Sequence, residues 1–226
     1  MREIVLDTET TGLDYKAGDR IIEIGCVELI NYVPTGSYLQ FYCKTNKEIG
    51  RGASRVHGIT NDFLNAHATF KDQVKNFLDF IKDDVLIIHN AEFDIGFINN
   101  ELKLIGISTI KNKIIDTVVL AREKLNSRIA NLDYLCRRFS IDLTSRKTHG
   151  ALLDCQLLAE VYLELKGGKQ TKLELTGFEN NKIDVENKRV PQIRNIKEVS
   201  ISHNEIESHK KLVKGLKKGI WEKMDY

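Results

Sequence analysis

Asp7-Thr8-Glu9-Thr10-Thr11-Gly12 sets two carboxylates two residues apart at the end of a short apolar run. Side chains alternate across a strand, so Asp7 and Glu9 point to the same side. At a separation of ~4 Å and an effective dielectric of ~20, two such charges repel by about 4 kcal/mol. A divalent cation between them removes that cost; the alternative is an exposed acidic turn. A second acid, Asp94, closes His89-Asn90-Ala91-Glu92-Phe93-Asp94, which follows the continuous apolar run Val85-Leu86-Ile87-Ile88. Ligand sites in α/β sheets gather where such buried strands end. Asp94 then falls in the first turn of a helix, as a site residue or as an acid favoured by the helix dipole. The third group is His149-Gly150-Ala151-Leu152-Leu153-Asp154. Five residues at about 100° each leave His149 and Asp154 about 140° apart on an ideal helix. They converge only if His149 sits on the incoming loop, a break that Gly150 permits; otherwise they are a surface histidine and an unrelated helix acid.

These residues need a frame, and the chain can supply one. It has 226 residues, 42% of them hydrophobic, enough for one domain with a full core plus an appendage. Arg2–Leu6, Arg20–Ile30 and Tyr38–Cys43 read as strands with short connections, hence an antiparallel meander. Lys44 to Val56, rich in Gly and charge, reads as a loop. Phe70, Val74, Phe77, Leu78 and Ile81 recur at three- and four-residue steps, a helical stripe with Thr69 as N-cap. Beyond the Val85–Ile88 strand the pattern gives a helix near 93–104, a short strand at Ile114-Ile115, helices near 117–124 and 132–139, and a last one over about 150–165. The fold class predicted is α/β: a mixed sheet, an antiparallel meander followed by parallel strands, flanked by helices and followed by a C-terminal tail.

Lys166-Gly167-Gly168-Lys169 closes a domain spanning residues 1–168. Residues 169–203, rich in Asn, Lys and Glu without periodicity, read as a linker. In the terminal segment, 204–226, Ser202 and Glu205 suit a capping box, and Leu212, Leu216 and Ile220 line up with Trp221 beside them. Gly215 and Gly219 oppose a helix there. Lys210, Lys211, Lys214, Lys217 and Lys218 leave two readings of this segment: a protein-binding anchor, or a solvated basic end or nucleic-acid arm.

Composition narrows the function. Up to Gly168, 21 Lys and Arg stand against 23 Asp and Glu, and beyond it 13 against 9. Chains that only coat nucleic acid carry a basic surplus, so any nucleic-acid chemistry here belongs to a local, metal-filled site. No run approaches the ~18 apolar residues of a membrane span, and the N-terminus enters a strand directly rather than a signal or transit peptide. Cys26, Cys43, Cys136 and Cys155 form no CxxC pair, which reads as free thiols in a cytoplasmic chain.

Together the three motifs resemble those of the DEDDh 3′→5′ exonucleases, within the ribonuclease H-like fold: DxE, an Asp in an HNAxFD setting, and HxxxxD. Asp7-Thr8-Glu9-Thr10-Thr11-Gly12-Leu13, Ile22-Glu23-Ile24-Gly25, Val56-His57-Gly58-Ile59 and His149–Asp154 are most similar to the proofreading branch of that family. The likeness covers about residues 1–168 well and the tail loosely. It implies Asp7, Glu9, Asp94 and Asp154 as ligands of two Mg²⁺ or Mn²⁺ ions, which suit hard oxygen donors, and His149 as general base. It also implies substrate contacts from Asp7, Glu9, Asp154 and His57, the last lying against the terminal nucleotide; the alternative for His57 is a turn histidine before Gly58. Gly50-Arg51-Gly52-Ala53-Ser54-Arg55 lacks the acidic residue that the family often carries there. The activity implied is removal of mismatched 3′-terminal deoxynucleotides as 5′-monophosphates. The partners implied are a frayed or single-stranded 3′ end of DNA, a polymerase catalytic (alpha) subunit held through the tail, and a small accessory subunit on the exonuclease domain. A stand-alone enzyme of the same family, trimming RNA or short oligonucleotides, would share every catalytic residue. An inactive binding module or a scaffold leaves the four acids and His149 without explanation.

Overall fold

The computed structural model describes residues 1–144, 146, 148–168 and 202–215, which fall into two compact units. The first is built on a five-stranded sheet. Its strands are β1 (Arg2–Thr10), β2 (Ile21–Ile30), β3 (Val33–Tyr42), β4 (Val85–Ile88) and β5 (Ile114–Asp116), in the order β3-β2-β1-β4-β5. β1–β2 and β2–β3 pair antiparallel, β1–β4 and β4–β5 parallel. This is the mixed sheet that the sequence predicts.

Alternation along the central strands feeds two cores. Ile4, Leu6, Leu86 and Ile88 pack on one face against Phe70, Val74 and Phe77 of α3 (Phe70–Ile81) and Phe97, Ile98 and Leu102 of α4 (Ala91–Leu104). Val5 and Ile87 point the other way, into a core with Ala121 of α5 (Thr117–Leu125), Leu135 of α6 (Leu132–Arg138) and Leu158 and Tyr162 of α7 (Ala151–Leu165). β4 is thus apolar along its length because both of its faces are covered. Asp7 and Glu9 share the parity of Val5 and therefore face α7.

Several boundaries differ from the sequence reading, for identifiable reasons. β1 runs on to Thr10, past the end of its apolar run, because pairing with β2 continues there (Glu9 opposite Glu23, Thr10 opposite Ile21 after a bulge). β3 starts at Val33, earlier than its apolar residues indicate. A two-residue hairpin, Asn31 (φ 51°) and Tyr32 (φ 71°), supplies the positive φ pair that such tight turns need, and the exposed first half of β3, with Pro34, suits an edge strand. Between Lys44 and Val56 the expected loop gives way to α1 (Arg51–His57), with α2 (Asn61–Leu64) after it. Gly50, Gly52 and the absence of an apolar stripe hide α1; it ends at Gly58, which takes the left-handed conformation (φ 74°). Thr69 caps α3 as expected, in a reciprocal capping box with Asp72.

In the second unit, α8 (His203–Gly215) starts as the capping box predicts: Glu205 accepts from the Ser202 backbone N–H at 2.9 Å and hydroxyl at 2.7 Å. Leu212 is exposed. The predicted linker up to residue 201, and Leu216, Ile220 and Trp221, lie outside the described residues. Among the described residues, no helix is long and apolar enough to cross a membrane, and all four cysteines are free and buried.

One glycine sets how closely α7 approaches the sheet. Gly25 pairs with Asp7 in the β1–β2 register, and a Cβ on it would lie 2.4–2.6 Å from backbone atoms of Ala151 and Leu152. The Cys155 thiol donates to the Gly25 carbonyl at 3.2 Å, closing the same contact. Gly25→Ala should displace the start of α7 and cost about 1–3 kcal/mol, read by urea denaturation. Unchanged stability would show that this close approach is dispensable.

Candidate functional site

The end of the sheet where β1, β4 and β5 finish collects the acids. Asp7 and Glu9 arrive on β1. Asp94 arrives in the first turn of α4, 3% exposed, and accepts a hydrogen bond from the Thr8 hydroxyl at 2.7 Å. That turn is itself held by Asp116 at the end of β5, which accepts from the backbone N–H of Asn90 (3.2 Å), Ala91 (3.0 Å) and Val118 (2.8 Å). One carboxylate thereby caps both α4 and α5. Asn90 adopts φ 68°, a left-handed position that Asn tolerates better than most residues. Next to it, His89 Nδ1 lies 2.9 Å from the Thr117 hydroxyl.

Asp154 comes from the first turn of α7, delivered beside Asp7 by the close packing on Gly25. His149 precedes that helix, as the 140° argument requires. Gly150 is the extended N-cap (φ −160°, ψ 129°), and the His149 backbone N–H donates to Val56 of α1 at 3.0 Å. The His149 ring is 45% exposed, with Nδ1 3.3 Å from Asp154 Oδ2. Ligand atoms of Glu9, His149 and Asp154 all lie within 4.8 Å of one another.

The electrostatics are those of a crowded anionic site. Burial, reinforced by Asp94, Asp154, Glu9 and Glu23, holds the Asp7 carboxyl well above the ordinary range. Burial, with Asp154, Glu23 and Asp94, pushes Glu9 up to about 8 against the pull of Arg146. Burial lifts Asp94 to about 7 despite the opposing hydrogen bond from Thr8. Glu23, 1% exposed on β2 directly across from Glu9, adds a further carboxylate to the same face. Such a set of oxygen donors, unable to ionise together at neutral pH, fits hard divalent cations.

Two clefts open on either side of these acids. One, of about 450 Å³, is lined by Asp7, His89, Asp133, Arg146, His149 and Asp154. The other, of about 390 Å³, is mainly apolar and runs past Glu9 along Thr10–Leu13, Gly50, Val56 and Phe93 to His57. Both fall within the ~300–1,000 Å³ of small-molecule sites. His57, 6% exposed, accepts from the Ile59 backbone N–H at Nδ1 (3.0 Å), so its Nε2 carries the proton. That Nε2 is buried and makes no well-formed hydrogen bond among the described residues, although the Thr10 backbone acts on the ring. Burial lowers the His57 pKa and keeps the ring neutral at pH 7.

All five residues of the DEDDh set thus lie at one sheet end, with His57 in the adjoining cleft. Three neighbours escaped sequence reasoning. Asp116 offered only the acidic end of a short strand, and Glu23 one acid within an apolar strand. Arg146 had no spacing signal at all, yet its side chain is 7% exposed and lies against Asp154.

Because Asp7, Glu9 and Asp94 bind protons more tightly folded than unfolded, their sum destabilises the fold as pH rises from the ordinary carboxylate range through about 8. Without divalent metal, the Tm should fall over that rise, and saturating Mn²⁺ should flatten the profile. A metal-free Tm that is level or rises across this range contradicts the assignment.

The chain resembles known proteins both in sequence and in fold. The exonuclease family model RNase_T matches residues 4–162. The DNA polymerase III subunit epsilon of Rickettsia felis is 41% identical over 227 residues, covering 96% of this chain and 98% of that one. Its counterpart in Rickettsia conorii is 48% identical over 179 residues, covering 77% of this chain and 78% of its own length. Among solved structures, the nuclease domain of 3′hExo, a DEDDh family member, bound to rAMP, superposes with a TM-score of 0.61 at 18% identity, over 74% of this chain and 92% of that one, a likeness of fold. The chain belongs to the exonuclease family that includes the DNA polymerase III epsilon subunits.

Proposed function

We propose that this chain removes nucleotides one at a time from the 3′ end of DNA, as the proofreading partner of a replicative polymerase. The convergence of Asp7, Glu9, Asp94 and Asp154 with His149, from β1, α4 and α7, carries this reading. The four carboxylates are assigned as ligands of two Mg²⁺ or Mn²⁺ ions. When bound, such ions lower the pKa of a water molecule and stabilise the oxygen that leaves the scissile phosphate.

The chain's own residues do the remaining work. Thr8 and the Asp116 cap fix Asp94, and Gly25 fixes the start of α7, so the acids are aligned before substrate arrives. His149, exposed at the mouth of the site, accepts the proton of the attacking water at its imidazole. The apolar cleft beside Glu9 receives the terminal nucleoside, with His57 in its wall. Products are a nucleoside 5′-monophosphate and a strand one residue shorter.

DNA and polymerase, rather than RNA trimming alone, are favoured by the extent of the likeness: the match to the Rickettsia felis epsilon subunit takes in 96% of this chain, so it reaches well into the tail. We assign residues 169–203 as a linker and 204–226 as the segment that tethers the domain to the polymerase catalytic (alpha) subunit. Tethering raises the local concentration of the exonuclease at the primer end. A small accessory subunit on the exonuclease domain remains part of this proposal.

His149→Ala should keep Mn²⁺ affinity near wild type while turnover on single-stranded DNA falls by roughly 10²–10⁴-fold. Isothermal titration with Mn²⁺ beside a single-turnover assay reads both. A large loss of Mn²⁺ affinity would make His149 a ligand instead, and near wild-type turnover would remove it from the chemistry.

A further inference from the structure

Arg146 occupies the acid cluster itself. Its Nε donates to Asp154 Oδ1 and its Nη2 to Asp154 Oδ2, both at 2.6 Å, so the guanidinium spans the whole carboxylate. Nη2 also lies 2.9 Å from His149 Nδ1, and Nη1 bonds to Asp133. This one cation therefore engages both members of the HxxxxD pair and a second acid, Asp133, outside the proposed ligand set. With 7% of its side chain exposed, it is a buried part of the site, not a surface arginine that happens to be near.

That position conflicts with the proposed chemistry in two ways. A fixed positive charge across both oxygens of Asp154 opposes a divalent cation on the same carboxylate. A guanidinium only donates, so Nδ1 of His149 must accept, and the neutral ring then carries its proton on Nε2. Neither ring nitrogen is free to take a proton from water while Arg146 stays. Asp133 offers a way out. It already holds Nη1, it is more exposed than Asp154, and it lies in the same cleft. The described residues between α6 and α7 belong to no helix or strand, so Arg146 can swing toward Asp133 without breaking a helix.

We propose that Arg146 is a built-in counter-cation that sits on Asp154 and His149 and yields them as divalent ions bind, so that loading the site and freeing His149 are one coupled event. The proposal rests on Asp154 being a metal ligand. Without the ions, Arg146 offsets the repulsion among the acids; with them, it is displaced. Had it simply oriented Asp154 for the metal, its loss would weaken metal binding, so the two roles predict opposite signs.

The test is Mn²⁺ titration calorimetry on the full-length wild type, Arg146→Ala and Arg146→Lys, with thermal melts with and without Mn²⁺. Arg146→Ala should bind Mn²⁺ about tenfold tighter, melt lower than wild type without metal, and gain more in Tm on saturation. Arg146→Lys, which keeps the charge but cannot span both oxygens, should fall between. Equal or weaker Mn²⁺ binding by folded Arg146→Ala would overturn the proposal. Should that variant not fold, equal or weaker binding by Arg146→Lys would overturn it. Failure of all three proteins to bind Mn²⁺ would overturn the metal assignment along with it.

Discussion

The repulsion among carboxylates at the end of the sheet is the constraint around which the molecule is built. Asp7, Glu9, Asp94 and Asp154 converge from three elements into a partly dry space, with Glu23 behind them. In water such charges disperse; here the fold holds them together, and burial drives Glu9 and Asp94 to titrate at about 8 and about 7. No local gain in stability accounts for that arrangement, because like charges in a low-dielectric site weaken a fold. Divalent cations turn the same repulsion into binding energy.

Holding the acids in place falls to groups that do no chemistry themselves. Arg20 grips Glu101 of α4 with two hydrogen bonds at 2.6 Å, and Glu101 also accepts from the Ile21 backbone at 3.3 Å. This ties the start of β2 to the helix that carries Asp94. Asp116 secures the other end of the same helix. Gly25 brings α7 against β2, and the two helical layers, on opposite faces of the sheet, meet the strand carrying Asp7 and Glu9 from either side. The parity of β1 matters throughout: Thr8 reaches Asp94 on the α4 side while Asp7 and Glu9 face α7. A one-residue slip of β1 would exchange these roles and destroy the site.

Much of this was legible in the sequence, where residues obey the period of their element. The apolar run of β4 and the stripe and cap of α3 place those elements at their observed bounds. The spacing of the three acidic motifs was compatible with a strand, a helix start and a loop–helix junction, but their joint resemblance to the DEDDh exonucleases is what singled them out. What escaped did so where function or a neighbour overrides local pattern. β1 outlasts its apolar residues because Asp7 and Glu9, near its end, face a site instead of a core. α1 hides behind Gly50 and Gly52. Arg146 and Asp116 matter only through partners that are distant in the sequence or lack any fixed spacing, though adjacent in the fold, and sequence periodicity carries no such information.

The central claim is that these converging acids cut DNA from its 3′ end. The most direct measurement is digestion of a 5′-labelled DNA primer on a template in Mg²⁺, with its 3′ end matched or mismatched, beside an RNA copy. A ladder of products one nucleotide apart, forming faster on the mismatched DNA, is the predicted result. Cleavage of RNA alone would contradict the assignment to DNA proofreading, and no cleavage with any divalent metal would contradict the catalytic site itself.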